Sequence, residues 1–367
     1  MPMDMTITQI PYVRLRDYLG LPPEQKLKAN RFGEVEPAVD LLQALGIDLL
    51  SVKLNSPRVN IAPPPLEDGT IFDEWGVGRK SIDVPGGGFL LEVTHAPFEG
   101  LDPHDVDLDS HPWPDPQDPG RTDGLAESTR RVYEETGLAL MGRFGGTIME
   151  LAFFMRGMQT WMMDLVMYPD FAAALMNRIT DIQIALDEAG IRETAPYLSI
   201  FKLSGEDLGM QDRALFSRKT WQTVLRPILS RRWKAARAAL DRYGGEHVKL
   251  MLHSDGAIRS FIPDLIEDGI EVLDPIQVNC VGMEFDGLKR DFGSHITFHG
   301  ALDTQHVLPF GTPDEVRTET LRTIRELGPG GGLILAPVHN VQPDVPPENL
   351  AVMCQTVLEH GRYPIRI

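Results

Sequence analysis

Residues 247–277 read HVKLMLHSDGAIRSFIPDLIEDGIEVLDPIQ. An apolar run, HVKLMLHSDG (247–256), gives way to AIRSFIPDLIEDG, where apolar residues recur at three and four; a second run, IEVLDPIQ (270–277), follows. Short continuous apolar runs bounded by turn residues mark strands buried on both faces, and the period between them marks a helix. Downstream, LKRDFG leads to HITFHGALD (295–303), then TPDEVRTETLRTIRELG, then GLILAPVHN (332–340), then PPENLAVMCQTVLEHG. Strand and helix alternate four times, which predicts a parallel sheet covered by helices.

The helix ends carry matching chemistry. Thr312-Pro313-Asp314-Glu315 sets a capping hydroxyl, a first-turn proline and acids ahead of a periodic run. Pro346-Pro347-Glu348-Asn349 opens the last helix in a similar way. Gly269, Gly328 and Gly361 follow helix ends, where a left-handed residue is expected.

Working back toward the N-terminus, Leu198–Leu203 reads as a strand ending in Ser204-Gly205-Glu206-Asp207, and Lys219–Tyr243 as one long helix or two. Asp170–Ala189 is a strong helical pattern, and Leu138–Gly145 a strand followed by a helix through Trp161–Leu165. Pro37–Leu45 reads as helix and Ile47–Leu54 as strand. The stripe Phe153, Phe154, Met155, Met158, Met162, Met163 is read as a barrel-covering helix.

Residues 56–125 break the rhythm with IAPPPLEDG, DVPGGG and HPWPDPQDPG. Trp75 and GFLLEVTHAP predict a small β insertion or hairpin there, in a segment read as an irregular insertion or lid. Repeated βα units fit a closed barrel or an open doubly wound sheet. No GxGxxG or GxxxxGK[ST] follows any strand, and Gly328-Pro-Gly-Gly-Gly332 precedes one, so the nucleotide-binding open sheets lose their main support. The expected architecture is a (β/α)8 barrel spanning residues 1–367 as one domain.

The 367 residues carry a formal charge of -18 and 42% apolar residues. Such a chain can bury a large core, and it repels nucleic acid and anionic membranes. The basic flank Arg226–Arg242 reads as a solvated face, or as a dock for an anionic substrate or acidic partner. Two cysteines, Cys280 and Cys354, make no disulfide framework and are not at metal-ligand spacing; Cys354, inside a helical pattern, is expected in the core. The N-terminal MPMDMTITQIPYVRLRDYLG lacks an apolar signal core, and a cytoplasmic location is expected.

Barrel enzymes build their sites at the strand ends. Here those ends are His253-Ser254-Asp255, Asp274-Pro275-Ile276-Gln277, Leu302-Asp303 and Val338-His339. His253 and Asp255, two apart on a strand, point the same way. Two imidazoles and a carboxylate from His253, Asp255 and His339 suit a catalytic zinc with an open fourth position. The same groups also suit metal-free acid–base work. Glu150, a lone acid in an apolar stretch, is read as a further metal ligand or a hydrogen-bond anchor. Asp207, Asp303 and Gln277 are carried as candidate catalytic groups, with a helix cap as the alternative for Asp207. His295, His299 and His306 are read as structural, with one of them lining the cavity as the alternative; His95, His104 and His111 show no ligand spacing.

The successive phrases MLHSDGAIRSFIPDLIEDGIEVLDPIQ, GLKRDFGSHITFHGALDTQHVLPFGTPDEV and GGLILAPVHNVQPDVPPENL resemble the uroporphyrinogen decarboxylase superfamily, with a weaker match in GTIMELAFFMRGMQTWMMDLVMYPD. The resemblance implies a (β/α)8 barrel, and the superfamily includes cobalamin-dependent methyltransferases. The haem-pathway members carry an arginine-rich N-terminal motif, RQAGRY, where this chain has only Val13-Arg14-Leu15-Arg16-Asp17-Tyr18; His339 does match their histidine near the last strand. The methyltransferase branch binds zinc through a His-x-Cys pair and a later Cys. His253 matches the first ligand, and Asp255 and His339 stand at the cysteine positions. The resemblance therefore implies zinc, a small methylated donor, and cobalamin on a separate corrinoid protein. A harder ligand set leaves a bound thiolate less nucleophilic, so a thiol acceptor is disfavoured. Two other readings stand beside this one. A decarboxylase would use Arg14, Arg16 and Asp207, and a non-catalytic barrel would bind a corrinoid or small molecule. A homodimer is left open.

Overall fold

A computed structural model describes residues 1–24, 27–30, 32–83 and 87–366; residues 84–86 of the DVPGGG stretch lie outside it. Seven parallel strands form its main sheet: β1 (Leu49–Lys53), β2 (Ala139–Arg143), β3 (Leu198–Gly205), β4 (Lys249–His253), β5 (Val272–Ile276), β6 (Thr297–Leu302) and β7 (Leu333–Pro337). Within this sheet the strands lie side by side in sequence order. The N-terminus fills the gap between the two edges. On one side Leu335 N donates to Pro2 O (3.0 Å) and Asp4 N to Leu335 O (3.1 Å); on the other, Asp48 N donates to Met3 O (3.0 Å). This eighth stave closes the (β/α)8 barrel, and closure satisfies the edge groups an open sheet would expose.

One principal helix follows each stave: Val39–Leu45, Leu125–Thr136, Pro169–Thr194, Arg226–Arg242, Ile262–Glu267, Phe285–Phe292, Pro313–Leu327 and Pro347–His360. The Thr312 cap forms as expected, with the Thr312 side chain accepting from Glu315 N and the Glu315 side chain accepting from Thr312 N. Gly269 is left-handed at φ 93°. Gly328 and Gly361 are not, at φ -70° and -84°, because the chain continues its right-handed turn there. After Gly328 the reversal falls instead on Gly330, Gly331 and Gly332, all at positive φ.

The basic flank is only partly a solvated face, since Arg232 is buried, and its charges are taken by the protein's own acids. Arg226 pairs with Asp264, Glu267 and Asp268; Arg231 with Asp181; Arg242 with Glu188. Cys280 and Cys354 are both buried. Of the methionine stripe, Met155 is core, whereas Met158 and Met163 face solvent.

The insertion forms a three-stranded antiparallel sheet, Ile71–Phe72, Gly78–Asp83 and Phe89–His95. It is packed into the barrel. Trp75, Val77 and Phe98 join the main core, and buried Arg156 binds Asp164 (2.7 Å) and the Phe98 and Leu101 carbonyls (2.5 and 2.8 Å). No helix among the described residues is long and apolar enough to cross a membrane.

Strand alternation stacks the barrel interior in tiers. Leu49, Met141, Ile200, Met251, Val272 and Ile334 form an apolar plug. Two residues further along the same strands stand Arg143, Lys202, His253 and Asp274, so the same alternation places a polar tier above the plug.

Candidate metal centre

His253 ends β4, Asp255 follows two residues on, and His339 lies just past β7. One donor atom from each lies within 4.8 Å of the other two. His253 Nε2 is 3.3 Å from Asp255 Oδ2, which is 3.8 Å from His339 Nε2. Tetrahedral zinc with bonds near 2 Å separates its ligands by about 3.3 Å. The donor set fits zinc with a small inward movement of His339, which is half-exposed. Three protein donors would leave one coordination position for a reactant.

The other face of the His253 ring is fixed from below. His253 Nδ1 lies 2.9 Å from Asp274 Oδ2, and Gly205, its neighbour across the β3–β4 pairing, leaves room for the ring. A carboxylate on one imidazole nitrogen holds the other free for a metal. Asp274 is itself buried between Lys202 Nζ (2.5 Å) and His299 Nδ1 (2.6 Å), and His299 Nε2 reaches Asp4 Oδ2 (3.0 Å). Burial pushes the Asp274 carboxyl up, but Lys202, His299 and His253 outweigh it and hold it well below the usual carboxylate range. Burial pulls His253 down, yet Asp255 and Asp274 raise it to about 10. The same balance, against Asp274 and Asp4, raises His299 to about 9. Asp274 thus links both histidines and one lysine.

These residues line a cavity of about 510 Å³, shared with Arg143, Thr147, Glu150 and Asp207. Ser204, also on its wall, holds a left-handed backbone at φ 70°, a costly conformation for a residue other than glycine. Glu150 lines the cavity but stands outside the trio of donors. Asp207 accepts from Asp255 N (3.1 Å) and lies 3.8 Å from His253 Nε2, so it braces the turn carrying Asp255. Gln277 and Asp303 face an adjoining hollow of about 300 Å³ that shares Asp255 and His339. Gln277 Oε1 accepts from Gly256 N (2.8 Å), and Asp303 caps the following turn by accepting from Gln305 N (2.6 Å) and His306 N (3.2 Å). Arg16 is buried against Asp40 and the Pro22 carbonyl, and Arg14 binds the Pro343 carbonyl; neither lines the cavity.

Lys202, Asp274, Asp4 and Glu206 were not carried as candidate site residues by sequence reasoning, although Asp274 and Glu206 stand in the strand ends it named. A signal existed for the first two, since each is a lone charge inside an apolar strand. Glu206 lies beneath the wall and accepts from Ile148 N (2.7 Å) and Met149 N (2.9 Å), satisfying the start of helix Met149–Arg156. Burial raises its carboxyl to about 8 against the lowering effect of those two bonds. A carboxyl raised on folding binds its proton more tightly in the folded state. Its contribution is complete below the unfolded value of 4.5 and is lost as pH rises through about 8. Urea midpoints are therefore expected to fall between pH 5 and 8.5 more steeply in the wild type than in Glu206→Gln; parallel slopes would show that Glu206 is ionised throughout.

The profile of the uroporphyrinogen decarboxylase (URO-D) family matches residues 99–360. The uroporphyrinogen decarboxylase of Alkalilimnicola ehrlichii is 24% identical over 303 residues, 78% of this chain and 73% of that protein. The enzyme of the same name from Magnetococcus marinus is 24% identical over 195 residues, 53% of this chain and 49% of its own length, so the chain spans about half of that relative. Among solved structures, a methyltransferase from Methanosarcina mazei superposes with a TM-score of 0.64 at 17% identity, covering 98% of this chain and 94% of that one. At that identity the likeness speaks to the fold.

Proposed function

This chain belongs to the uroporphyrinogen decarboxylase family, and from that premise we propose that it is a metal-dependent methyltransferase or demethylase. The observation that carries the reading is the His253, Asp255 and His339 trio, with His253 oriented by a buried carboxylate. The structural likeness to a methyltransferase is consistent with it. Zinc bound there would supply Lewis acidity toward the donor heteroatom, oxygen or nitrogen, that carries the methyl group. Asp274 orients His253 and Asp207 braces the Asp255 turn, so the donors converge before any ligand arrives. The cavity admits a small methylated compound, and the methyl acceptor is a corrinoid on a separate protein. Decarboxylation of a porphyrinogen is disfavoured because Arg14 and Arg16 are occupied away from the cavity.

Two measurements test the proposal. The purified chain is expected to bind one equivalent of zinc, and the His339→Ala variant to bind it more weakly. With free cob(I)alamin as acceptor, methylcobalamin absorbance should grow on addition of one member of a panel of methyl ethers and methylamines. Turnover undiminished after removal of all metal would sink the metal role. Release of carbon dioxide from uroporphyrinogen, without methyl transfer, would return the chain to decarboxylation.

A further inference from the structure

We propose that Arg143 binds a carboxylate on the substrate and selects for molecules bearing that single negative charge. This deepens the proposed function by naming its substrate class; it rests on that reading for the reaction, but not for the binding.

Arg143 ends β2 two residues beyond Met141, which sits in the apolar plug. Alternation therefore turns it toward the barrel interior, in the tier of Lys202, His253 and Asp274. The other cations around that tier are matched: Lys202 and His253 with Asp274, and His299 with Asp274 and Asp4. Arg143 is half-buried, yet it makes no hydrogen bond or ion pair with any described residue. A guanidinium cannot shed its charge, and five unanswered donors at a partly dry site are costly unless a ligand meets them.

Its position fits a ligand-holding role. Arg143 and Thr147 border both the metal-centre cavity and a second cavity of about 370 Å³ that runs toward the insertion. A molecule spanning this junction places one end at His253 and His339 and another at Arg143. The wall carrying Arg143 and Thr147 is set firmly: Gly145 N donates to Asp187 (2.8 Å), Gly146 N to Gln183 (2.6 Å), and Ile148 N to Glu206 (2.7 Å).

The chemistry selects a carboxylate. The planar fork of a guanidinium matches its two oxygens. Beyond Asp4 and Asp274, matched by His299 and Lys202, the cavity wall carries Glu34, Asp207 and Asp255, whose charge opposes a second negative charge on the ligand. A doubly charged phosphate ester is therefore excluded where a monoanion is admitted.

The test is calorimetric titration of the full-length, zinc-free chain with benzoate, beside neutral benzamide and dianionic phenyl phosphate. Benzoate is expected to bind tightest. Arg143→Gln should weaken it by roughly ten- to a hundredfold, with Arg143→Lys intermediate. Lys53→Gln, which removes a cation that borders the second cavity but not the metal-centre cavity, should leave benzoate affinity unchanged. Because the Arg143 side chain pairs with no described residue, Arg143→Gln should keep the wild-type thermal midpoint, so lost binding is not lost folding. Equal affinity in Arg143→Gln, no benzoate binding by the wild type, or tighter binding of phenyl phosphate each overturns the proposal. Failure to bind zinc would remove the metal reading while leaving this result standing. A zinc-binding protein whose benzoate affinity ignores Arg143 would remove this inference alone.

Discussion

His253→Ala is expected to abolish stoichiometric zinc binding, and Asp274→Asn to weaken it by about 10- to 100-fold. The first change deletes the histidine of the trio that lies closer to Asp255. The second leaves every ligand in place and alters only what lies behind His253. Its amide can still face Nδ1, but the charge that steadies the ring is gone. Asp274 also answers Lys202 and His299, so its loss leaves two buried cations less well matched. Lys202→Met separates these effects, because it removes the ion pair and keeps the His253–Asp274 contact. Competition against a chromogenic zinc chelator gives the three affinities. Wild-type affinity in His253→Ala would falsify the assignment of this centre. If Asp274→Asn bound as the wild type does, Asp274 would be a folding residue only.

The strand-end reading found the trio because β4 and β7 terminate in polar residues that sequence alone exposes: His253-Ser254-Asp255 and Val338-His339. What it could not weigh was the competition for each group. Asp303 and Gln277 have the right position and residue type, yet both bond local backbone amides, a use that depends on how the following turn folds. The family resemblance pointed to the same trio; the partner behind His253 came only from register, which sets Asp274 opposite it across the β4–β5 pairing.

The eighth stave was similarly hidden. Met3, Met5 and Ile7 alternate with polar residues and are all buried, but three positions are too short a run to identify a strand. Its pairing with Leu335 spans nearly the whole chain, and local pattern carries no trace of such contacts. Arg143 shows the converse. Its place at period two beyond Met141 was legible in ALMGR, but its lack of a partner among the described residues is a fact of three dimensions.

Arg232→Ala is expected to destabilise the fold by about 3–5 kcal/mol, the cost typical of breaking a buried ion pair from one side. Arg232 and Asp187 are both almost fully buried. Two guanidinium nitrogens meet the two carboxylate oxygens at 2.7 and 3.0 Å, and a third reaches the Gly146 carbonyl. Removing the guanidinium leaves Asp187 with the Gly145 amide at 2.8 Å as its remaining partner among the described residues, too little to replace a full charge. Arg232→Lys restores charge but not the paired geometry, so an intermediate loss is expected. Urea unfolding of the three proteins measures the order, and a loss below about 1 kcal/mol in Arg232→Ala would show the pair to be surface-like. The effect reaches function through position. Gly145 and Gly146 lie between Arg143 and Thr147, so the clamp that stabilises the fold also fixes the wall of the cavity. Under conditions where Arg232→Lys stays folded, its benzoate affinity should fall while zinc binding at the ends of β4 and β7 persists. Equal decline of both would mean that the change loosens the whole barrel mouth, not the β2 loop.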